Sequence, residues 1–217
     1  MKPELIIWDW NGTVLDDVEP SRLIANRMLK ERGLRPFRDL TEYRAVFGFP
    51  IKEYYAKCGY TYETESYEQV ADEFVILYRE AFKTCPLRSG VPEAIAALQN
   101  KGLRQVLLSA TKQSQLLDQV ACFPELKPFF SDILGIRDHY AFSKAQLAAD
   151  FIALCGLRPE QTVFIGDTDH DYEVSSAVGA PCVLMTGGHQ SRERLESTGA
   201  VAVLDSFGEL VRFLTER

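Results

Sequence analysis

The sequence lacks the features that mark membrane-spanning and nucleic-acid-binding proteins. No apolar run approaches the roughly 20 residues that cross a bilayer, and no apolar targeting segment precedes the first predicted strand. The net charge is −7 and the basic residues form no stripe, so the surface is expected to repel a phosphate backbone. We therefore expect a cytoplasmic protein that binds neither membranes nor nucleic acids.

Cysteine is too scattered for a disulfide framework or a zinc site. Its number is odd and no pair has CxxC spacing, so we expect reduced thiols. The five positions are Cys58, Cys85, Cys122, Cys155 and Cys182. Internal repeats and low-complexity tracts are also absent from the sequence. The 217 residues are enough for one substantial core with a smaller appended unit.

Two short apolar runs that each end in aspartate are the most informative feature. The run Glu4–Trp8 leads into Asp9 on a glycine turn, and Thr162–Gly166 leads into Asp167, with two further aspartates within four residues. Ligands of an open parallel sheet bind at the carboxyl ends of its strands, so Asp9 and Asp167 are expected to converge. Either aspartate alone is more typical of a turn or a helix cap, but their joint occurrence favours a shared site. Because adjacent carboxylates repel unless a cation lies between them, and hard oxygen ligands suit Mg²⁺, we predict a magnesium site.

The apolar pattern divides the chain into two parts. Residues 18 to about 84 show helical spacing without strand-like runs, whereas strands and helices alternate from Pro86 onward, as in a parallel sheet covered on both faces. Helical spacing occurs over Ser21–Gly33, Tyr43–Tyr55 and Tyr67–Phe82. The later predicted helices are 92–101, 112–121, 143–155 and 171–178, and the predicted strands are 104–109, 131–135, 162–166, 181–185 and 201–204.

Four segments in this order resemble the motifs of the haloacid dehalogenase superfamily. They are Asp9–Leu15, Val106–Ser109, Lys144 and Gly166–Asp171, and together they span nearly the whole chain. Any one of them is weak on its own, but four in order make coincidence improbable. The chain is therefore identified as a member, which implies a hydrolase, in most members a Mg²⁺-dependent phosphatase with an aspartyl-phosphate intermediate.

The resemblance also implies an architecture. We expect an α/β fold with a doubly wound, Rossmann-like parallel-sheet core, formed by residues 1–15 and 86–217, and an inserted small α-helical cap domain, residues 16–85. Substrate would lie between cap and core, with closure excluding water. The small cap and the segment Gly187–Ser191 after a predicted strand are most similar to the phosphoglycolate phosphatase-like subgroup.

The resemblance assigns roles to the residues that match the motifs. Asp9 would attack phosphorus, and Lys144 would neutralise charge on the nucleophile and the phosphate. Mg²⁺ would be held by the Asp9 side chain, the Asn11 backbone carbonyl and the Asp167 side chain. Asp171 would support the metal's water ligands or Lys144. The substrate would be bound by Gly12, Thr13, Ser109, Ala110, Thr111 and, from the cap, Arg44.

Several of these residues have a simpler interpretation. A lysine near a helix start, such as Lys144, is usually exposed, and a solvated Arg44 is at least as plausible as one that reaches substrate. Ser109 is equally explained as the end of a strand. His170 and His189 are expected on exposed helix or loop surfaces rather than in acid–base chemistry.

Asn11 departs from the superfamily pattern. Phosphatases of the superfamily usually have an aspartate two residues after the nucleophile, which protonates the departing alcohol and then activates water. An amide cannot do this, so that contribution of about 10²–10⁴-fold in rate is expected to be lost or supplied otherwise. The leading hypothesis is a phosphatase for a small phosphorylated metabolite, with the acid borrowed from the substrate, the cap or Asp16 and Asp17. It predicts faster turnover of aryl than of alkyl phosphates, and higher activity after Asn11→Asp.

Two alternatives remain open at the level of the sequence. The first is cleavage of phosphonates or carbon–halogen bonds, for which Lys52 or Lys57 of the cap would be the candidate amine. The second is a catalytically impaired protein that binds metal and phosphate without turnover. The oligomeric state is predicted only as monomer or homodimer, and the aromatic residues expected to be exposed at a dimer surface are Tyr54, Tyr55, Tyr60 and Tyr62.

Overall fold

The computed structural model describes residues 3–136 and 144–216 and contains a six-stranded sheet in the order β3-β2-β1-β4-β5-β6. Every neighbouring pair is parallel. The strands are β1 Leu5–Trp8, β2 Arg104–Lys112, β3 Asp132–Ile136, β4 Thr162–Gly166, β5 Cys182–Met185 and β6 Ala202–Leu204. The predicted α/β fold with a doubly wound parallel sheet is confirmed.

Ten α-helices lie within the described residues. The first four are α1 Val18–Glu31, α2 Leu40–Val46, α3 Ile51–Lys57 and α4 Tyr67–Ala81. The others are α5 Val91–Asn100, α6 Gln113–Val120, α7 Lys144–Leu154, α8 Asp169–Ala177, α9 Arg192–Glu196 and α10 Phe207–Thr215. Each of these helices, within the ranges that the structure describes, is too short or too polar to cross a lipid bilayer.

The central strand β1 fixes the position of the site. All four of its residues are buried, because helices cover both faces of the sheet at this point. It pairs with β2 on one side and β4 on the other, and Trp8 is in register with both Leu107 and Ile165. The strand order therefore reverses at β1, and the ends of β1 and β4 form the crevice in which ligands of such sheets bind.

The structure changes several predicted boundaries. Strand β2 continues past Ser109 to Lys112 through a register shift, and Tyr43–Tyr55 contains two short helices that are separated by residues 47–50. The predicted helix 143–155 begins at a position outside the described residues, and the rest of it agrees with α7. Helices α9 and α10 were not predicted.

The helical insert, by which we mean residues 16–85, packs against the sheet domain through one apolar cluster. This cluster extends from Trp8 and Trp10 to Tyr43, Tyr54 and other aromatic residues of the insert. The two connections of the insert run side by side, with Asp16 N–H donating to Pro86 O at 2.9 Å and Arg88 N–H donating to Val14 O at 2.9 Å. The insert thus leaves and rejoins the core at one point.

The expectation that Tyr54, Tyr55 and Tyr60 are exposed is wrong. All three are at most 7% exposed. Tyr55 packs against both of the others, with ring centroids 5.3 Å from Tyr54 and 5.2 Å from Tyr60. Their rings bury apolar area inside the insert. Tyr62 is partly exposed.

A buried amide links β1 to β2 and generates a stability prediction. Trp8 Nε1 donates to Gln105 Oε1 at 3.0 Å, and Gln105 Nε2 donates to Ile95 O at 2.9 Å, with both side chains at most 1% exposed. Gln105→Met keeps the volume but leaves the indole N–H unpaired, so we expect a loss of about 1–3 kcal/mol in the free energy of unfolding. Urea denaturation measures this. Gln99→Met, at an exposed position of α5, is the control and should change the free energy little; equal effects would contradict the assigned role.

Candidate active site

The aspartates that follow β1 and β4 lie side by side. Asp9 N–H donates to Ile165 O at 2.8 Å, which continues the pairing of the two strands to the edge of the sheet. One carboxylate oxygen of Asp9, one of Asp167 and one of Asp171 all lie within 4.8 Å of each other. The expectation that two strand ends bring Asp9 and Asp167 together therefore agrees with the structure, and Asp171 lies beside them.

Lys144 is buried in the middle of this cluster. Its Nζ donates to Asp9 Oδ1 at 2.5 Å and to Asp171 Oδ1 at 2.7 Å, and its side chain is 5% exposed. Burial alone would lower the pKa of Lys144, but the two carboxylates hold it above its usual value. The lysine is thus a fixed positive charge against the predicted nucleophile rather than a solvated surface group.

The charges of the cluster do not balance. Three carboxylates and one ammonium group leave an excess of two negative charges in a site where Asp167 and Asp171 are at most 4% exposed. Burial, followed by the charges of Asp171 and Asp167, raises the pKa of Asp9 despite the opposing effect of Lys144. A divalent cation would remove this excess, and clustered carboxylate oxygens are the ligands that hard cations prefer. The residues present therefore fit a divalent metal.

Asp171 is held in place by the start of helix α8. Its Oδ2 accepts hydrogen bonds from Thr168 Oγ1 at 2.8 Å, Thr168 N–H at 3.1 Å and Asp167 N–H at 3.2 Å, while Oδ1 accepts from Lys144. Thr168 is the N-cap, and Asp171 is the third residue of the helix. Both oxygens are engaged, which supports a role of Asp171 in orienting Lys144.

Asp167 is fixed by the turn after β1 and by the loop after β5. Its Oδ1 accepts from Thr13 Oγ1 at 2.8 Å and its Oδ2 from His189 N–H at 2.6 Å. Thr13, which was predicted to bind substrate, is fully buried and holds this carboxylate instead of facing an open site.

Two glycines allow the backbone to approach Asp167 this closely. Gly12 has φ +74°, and a Cβ there would lie 2.8 Å from the carboxyl carbon of Asp167. A Cβ on Gly188 would also overlap the Asp167 side chain. Gly12 therefore serves the conformation and spacing of the turn, in addition to its predicted place beside the phosphate.

The predicted phosphate-binding segment lies on the extension of β2. Ser109 Oγ accepts from Thr111 N–H at 3.1 Å and donates to Thr111 Oγ1 at 3.1 Å. Thr111 Oγ1 in turn donates to Asn11 Oδ1 at 3.0 Å, and Ala110 is exposed. The segment is therefore connected to the turn after β1, and Ser109 and Thr111 form an internal hydrogen bond at the position where phosphate was predicted.

The Asn11 side chain faces a buried carboxylate. Its Nδ2 donates to Asp17 Oδ2 at 2.8 Å and to Tyr78 OH at 2.7 Å. Asp17, which is 1% exposed, also accepts from Tyr78 OH at 2.5 Å and from Gly12 N–H at 2.7 Å. Burial alone would raise the pKa of Asp17, but the charge of His189 and these hydrogen bonds hold it below its usual value.

The expectation that His189 is exposed is wrong. It is 5% exposed, its Nε2 lies 3.2 Å from Asp17 Oδ1, and its Nδ1 is paired with Tyr43 OH at 2.9 Å. Burial would lower the pKa of His189, but Asp17 more than offsets this and raises it. His189 is buried because Gly187 and Gly188 let the loop after β5 fold over Asp167. His170 is partly exposed and stacks on Phe49, with ring centroids 4.5 Å apart.

Arg44 joins the insert to this same loop. Its Nε donates to Gly188 O and its Nη2 to Gly187 O, both at 2.8 Å. The contacts place Arg44 on the loop that carries His189. Asp169, one of the aspartates that clustered in the sequence, forms an ion pair with Arg194 at 2.6 Å.

Sequence reasoning missed Tyr43, Tyr78 and His189. Periodicity identified both tyrosines as helical but gave no indication that their hydroxyl groups reach the core. The signal available for His189 was the Gly187–Gly188 pair directly after a strand, since all parallel strands end at the same edge of the sheet.

Comparison with known proteins agrees with the fold. Residues 6–185 match the family model described as haloacid dehalogenase-like hydrolase. The chain is 26% identical over 220 residues to a phosphoglycolate phosphatase of Pseudomonas savastanoi pv. phaseolicola. The aligned region covers 96% of this chain and 79% of that protein. A haloacid dehalogenase-like hydrolase of Streptococcus pneumoniae has a similar structure, with TM-score 0.81 at 19% identity over 98% of this chain and 99% of that one. A predicted phosphoglycolate phosphatase of Haemophilus somnus gives TM-score 0.78 at 17% identity over 98% of each chain.

Gly12 has both a positive φ and a close neighbour, Asp167, and the two effects can be separated. The comparison is with Gly33, which has a positive φ but no close neighbour. Gly33 has φ +68°, and a Cβ added there would meet no described heavy atom within 4 Å beyond its immediate chain surroundings. Gly33→Ala should cost about 1–2 kcal/mol in free energy of unfolding from backbone strain alone. Gly12→Ala adds the overlap with Asp167 and His189, so we expect a larger loss in the free energy of unfolding. Urea denaturation measures both variants, and equal losses would contradict the packing argument.

Proposed function

Because the chain belongs to the haloacid dehalogenase-like hydrolase family, we propose that it is a Mg²⁺-dependent phosphatase acting on a small phosphorylated metabolite. The observation that carries the proposal is the buried cluster of Asp9, Asp167, Asp171 and Lys144 at the end of β1 and β4. It combines a nucleophile, a fixed positive charge and an excess of negative charge that suits a divalent cation.

The curated relatives suggest a substrate. Proteins named phosphoglycolate phosphatase match along 85% to 99% of this chain, at 23% to 27% identity. We propose phosphoglycolate as the first compound to test. The helical insert is proposed to act as the cap that covers the bound substrate, because three of its side chains contact loops of the core. Tyr43 pairs with His189, Arg44 donates to Gly188, and Tyr78 accepts from Asn11.

In the proposed reaction, Asp9 attacks phosphorus, the bond from phosphorus to the leaving oxygen breaks, and water later hydrolyses the aspartyl phosphate. Lys144 orients the Asp9 carboxylate through Oδ1 and remains protonated, because the pKa of Lys144 is raised. When bound, Mg²⁺ would supply charge stabilisation on the phosphoryl oxygens. The side chains proposed to hold it are Asp9 and Asp167, with the Asn11 backbone carbonyl and with Asp171 in support.

Asn11 limits the proton transfer steps. Its amide cannot donate a proton to the leaving group, so phosphates with good leaving groups are expected to react faster than alkyl phosphates. The same observation favours a second candidate function, a protein that binds metal and phosphate with little turnover. For a phosphonate-cleaving reaction, Lys52 gives little support, since it is exposed and its Nζ lies 5.7 Å from the Tyr62 ring centroid and 5.9 Å from that of Tyr67.

Steady-state hydrolysis tests the proposal. We expect Mg²⁺-dependent release of phosphate from p-nitrophenyl phosphate and from phosphoglycolate, and loss of at least about 10³-fold in kcat/KM in Asp9→Asn, because the nucleophile is removed. Asp118→Asn, at an exposed position of α6, is the matched control and should retain full activity. Binding of inorganic phosphate without hydrolysis of either compound would favour the binding protein instead.

Metal binding is tested separately from turnover. Mg²⁺ at 100 times its dissociation constant should stabilise the protein by about 2.7 kcal/mol, read as a rise in Tm, because only the folded cluster binds it. Asp167→Asn removes one of the excess negative charges and should abolish most of this rise. A Tm that is independent of Mg²⁺ in the unmodified protein would refute the proposed site.

A further inference from the structure

We propose that Asn11 is a positioning residue and that its amide, together with Asp17 and Tyr78, forms a latch that holds the helical insert against the core. The latch is defined as the hydrogen-bonded set Asn11, Asp17, Tyr78 and His189. The inference concerns the site of the proposed function, but it depends on that function only where turnover is measured.

The contacts of position 11 match an amide and not a carboxylate. Nδ2 donates two hydrogen bonds, at 2.8 Å to Asp17 Oδ2 and at 2.7 Å to Tyr78 OH, while Oδ1 accepts one from Thr111 Oγ1 at 3.0 Å. An aspartate has no proton for the first two contacts when ionised. It would place a second carboxylate oxygen in contact with Asp17 in a site that is nearly closed to solvent.

Asp17 collects donors from three parts of the molecule. Its carboxylate accepts hydrogen bonds from Gly12 N–H and Asn11 in the turn after β1, from Tyr78 on α4 of the insert, and from His189 on the loop after β5. At 1% exposure, this carboxylate depends on these four partners in place of water. Asp17 and Tyr78 both belong to the insert, so movement of the insert away from the core has to break the contacts of Asn11 with both side chains. It also has to break the contacts of Gly12 and His189 with Asp17.

A second connection reaches the same carboxylate from another helix of the insert. Tyr43 on α2 is paired with His189 Nδ1, and His189 Nε2 contacts Asp17. Both α2 and α4 are thus tied, through Asp17, to the turn that carries Asp9. The residue at position 11 therefore affects the position of the insert as well as proton transfer. Contrary to the expectation from the sequence, Asn11→Asp alone should not restore a working acid or raise activity.

The amide of Asn11 and the carboxylate of Asp17 are in contact, so the two residue types can be exchanged between positions 11 and 17. In the double variant Asn11→Asp/Asp17→Asn, the amide at position 17 donates to the carboxylate at position 11, so one negative charge and one amide remain in contact. The single variants break this match, since Asn11→Asp pairs two carboxylates and Asp17→Asn pairs two amides. His189 loses its charged partner in Asp17→Asn and in the double variant alike, so that part of the loss is not recovered.

The experiment is a double-mutant cycle on the full chain with Mg²⁺ present, read first as Tm. We expect Asn11→Asp to lower Tm by about 5–10 °C. The loss of Tm in the double variant should be substantially smaller than the sum of the losses in the two single variants. Asn100 is exposed at the end of α5, and Asn100→Asp makes the same change from amide to carboxylate outside the latch. This control should leave Tm unchanged. Additive losses in the double variant, or an unchanged Tm in Asn11→Asp, would overturn the proposal.

The second readout is kinetic and separates positioning from simple stability. At a temperature where every variant is folded, KM for p-nitrophenyl phosphate should rise about tenfold in Asn11→Asp, because an insert that is released covers bound substrate less well, and should recover in the double variant. Higher turnover of Asn11→Asp at unchanged KM would contradict the latch. If the unmodified protein has no activity, the proposed function fails while the Tm cycle still decides the latch.

A milder variant keeps the latch testable if the variants at positions 11 and 17 do not fold. Tyr78→Phe removes only the hydroxyl group that contacts Asp17 and Asn11, and it should raise KM and lower Tm by a few degrees, about 2–6 °C. Tyr62→Phe is its matched control, because the Tyr62 hydroxyl donates to Lys52 O on the exposed surface of the insert. Equal effects of the two substitutions would argue against the latch.

Discussion

The burial of carboxylates beside a single lysine is the constraint on which the site depends. Asp9, Asp167 and Asp171 are brought together by two strand ends and one helix start, and Lys144 offsets only one of their charges. Such an arrangement is costly unless it is completed by hydrogen bonds and a cation. The surrounding structure reflects this: Thr13, Thr168 and the backbone N–H of His189 all donate to these carboxylates. The glycines of the two loops allow the donors to come close enough.

A second buried carboxylate, Asp17, extends the same logic to the insert. Its partners come from the turn after β1, from helix α4 and from the loop after β5, so the position of the insert and the geometry around Asp9 are linked. Asn11 belongs to this arrangement. From the sequence alone it was interpreted as the loss of an acid, but its three side-chain hydrogen bonds match an amide and not an ionised carboxylate.

The sequence predicted the sheet and the convergence of Asp9 with Asp167 because both depend on short apolar runs and on a general property of parallel strands. It could not predict the burial of His189, since that results from a loop crossing Asp167 at two glycines, nor the reach of Tyr78 from a helix in the insert. Tyr54, Tyr55 and Tyr60 were misplaced for a related reason: tyrosine occurs both on surfaces and in cores, and only the packing of the insert decides between them. Ser109 was predicted to end a strand, but β2 continues to Lys112 through a register shift that no local pattern reveals.

Detection of a phosphoryl group on Asp9 tests the central claim most directly. The protein would be mixed with p-nitrophenyl phosphate and Mg²⁺, quenched in acid at a series of times, and analysed by peptide mass spectrometry. The account predicts a phosphoryl group on Asp9 that builds up to an easily detected fraction, because Asn11 cannot activate the water that removes it, and that is absent in Asp9→Asn. Turnover of the compound with no phosphoryl group on Asp9 at any quench time would contradict it.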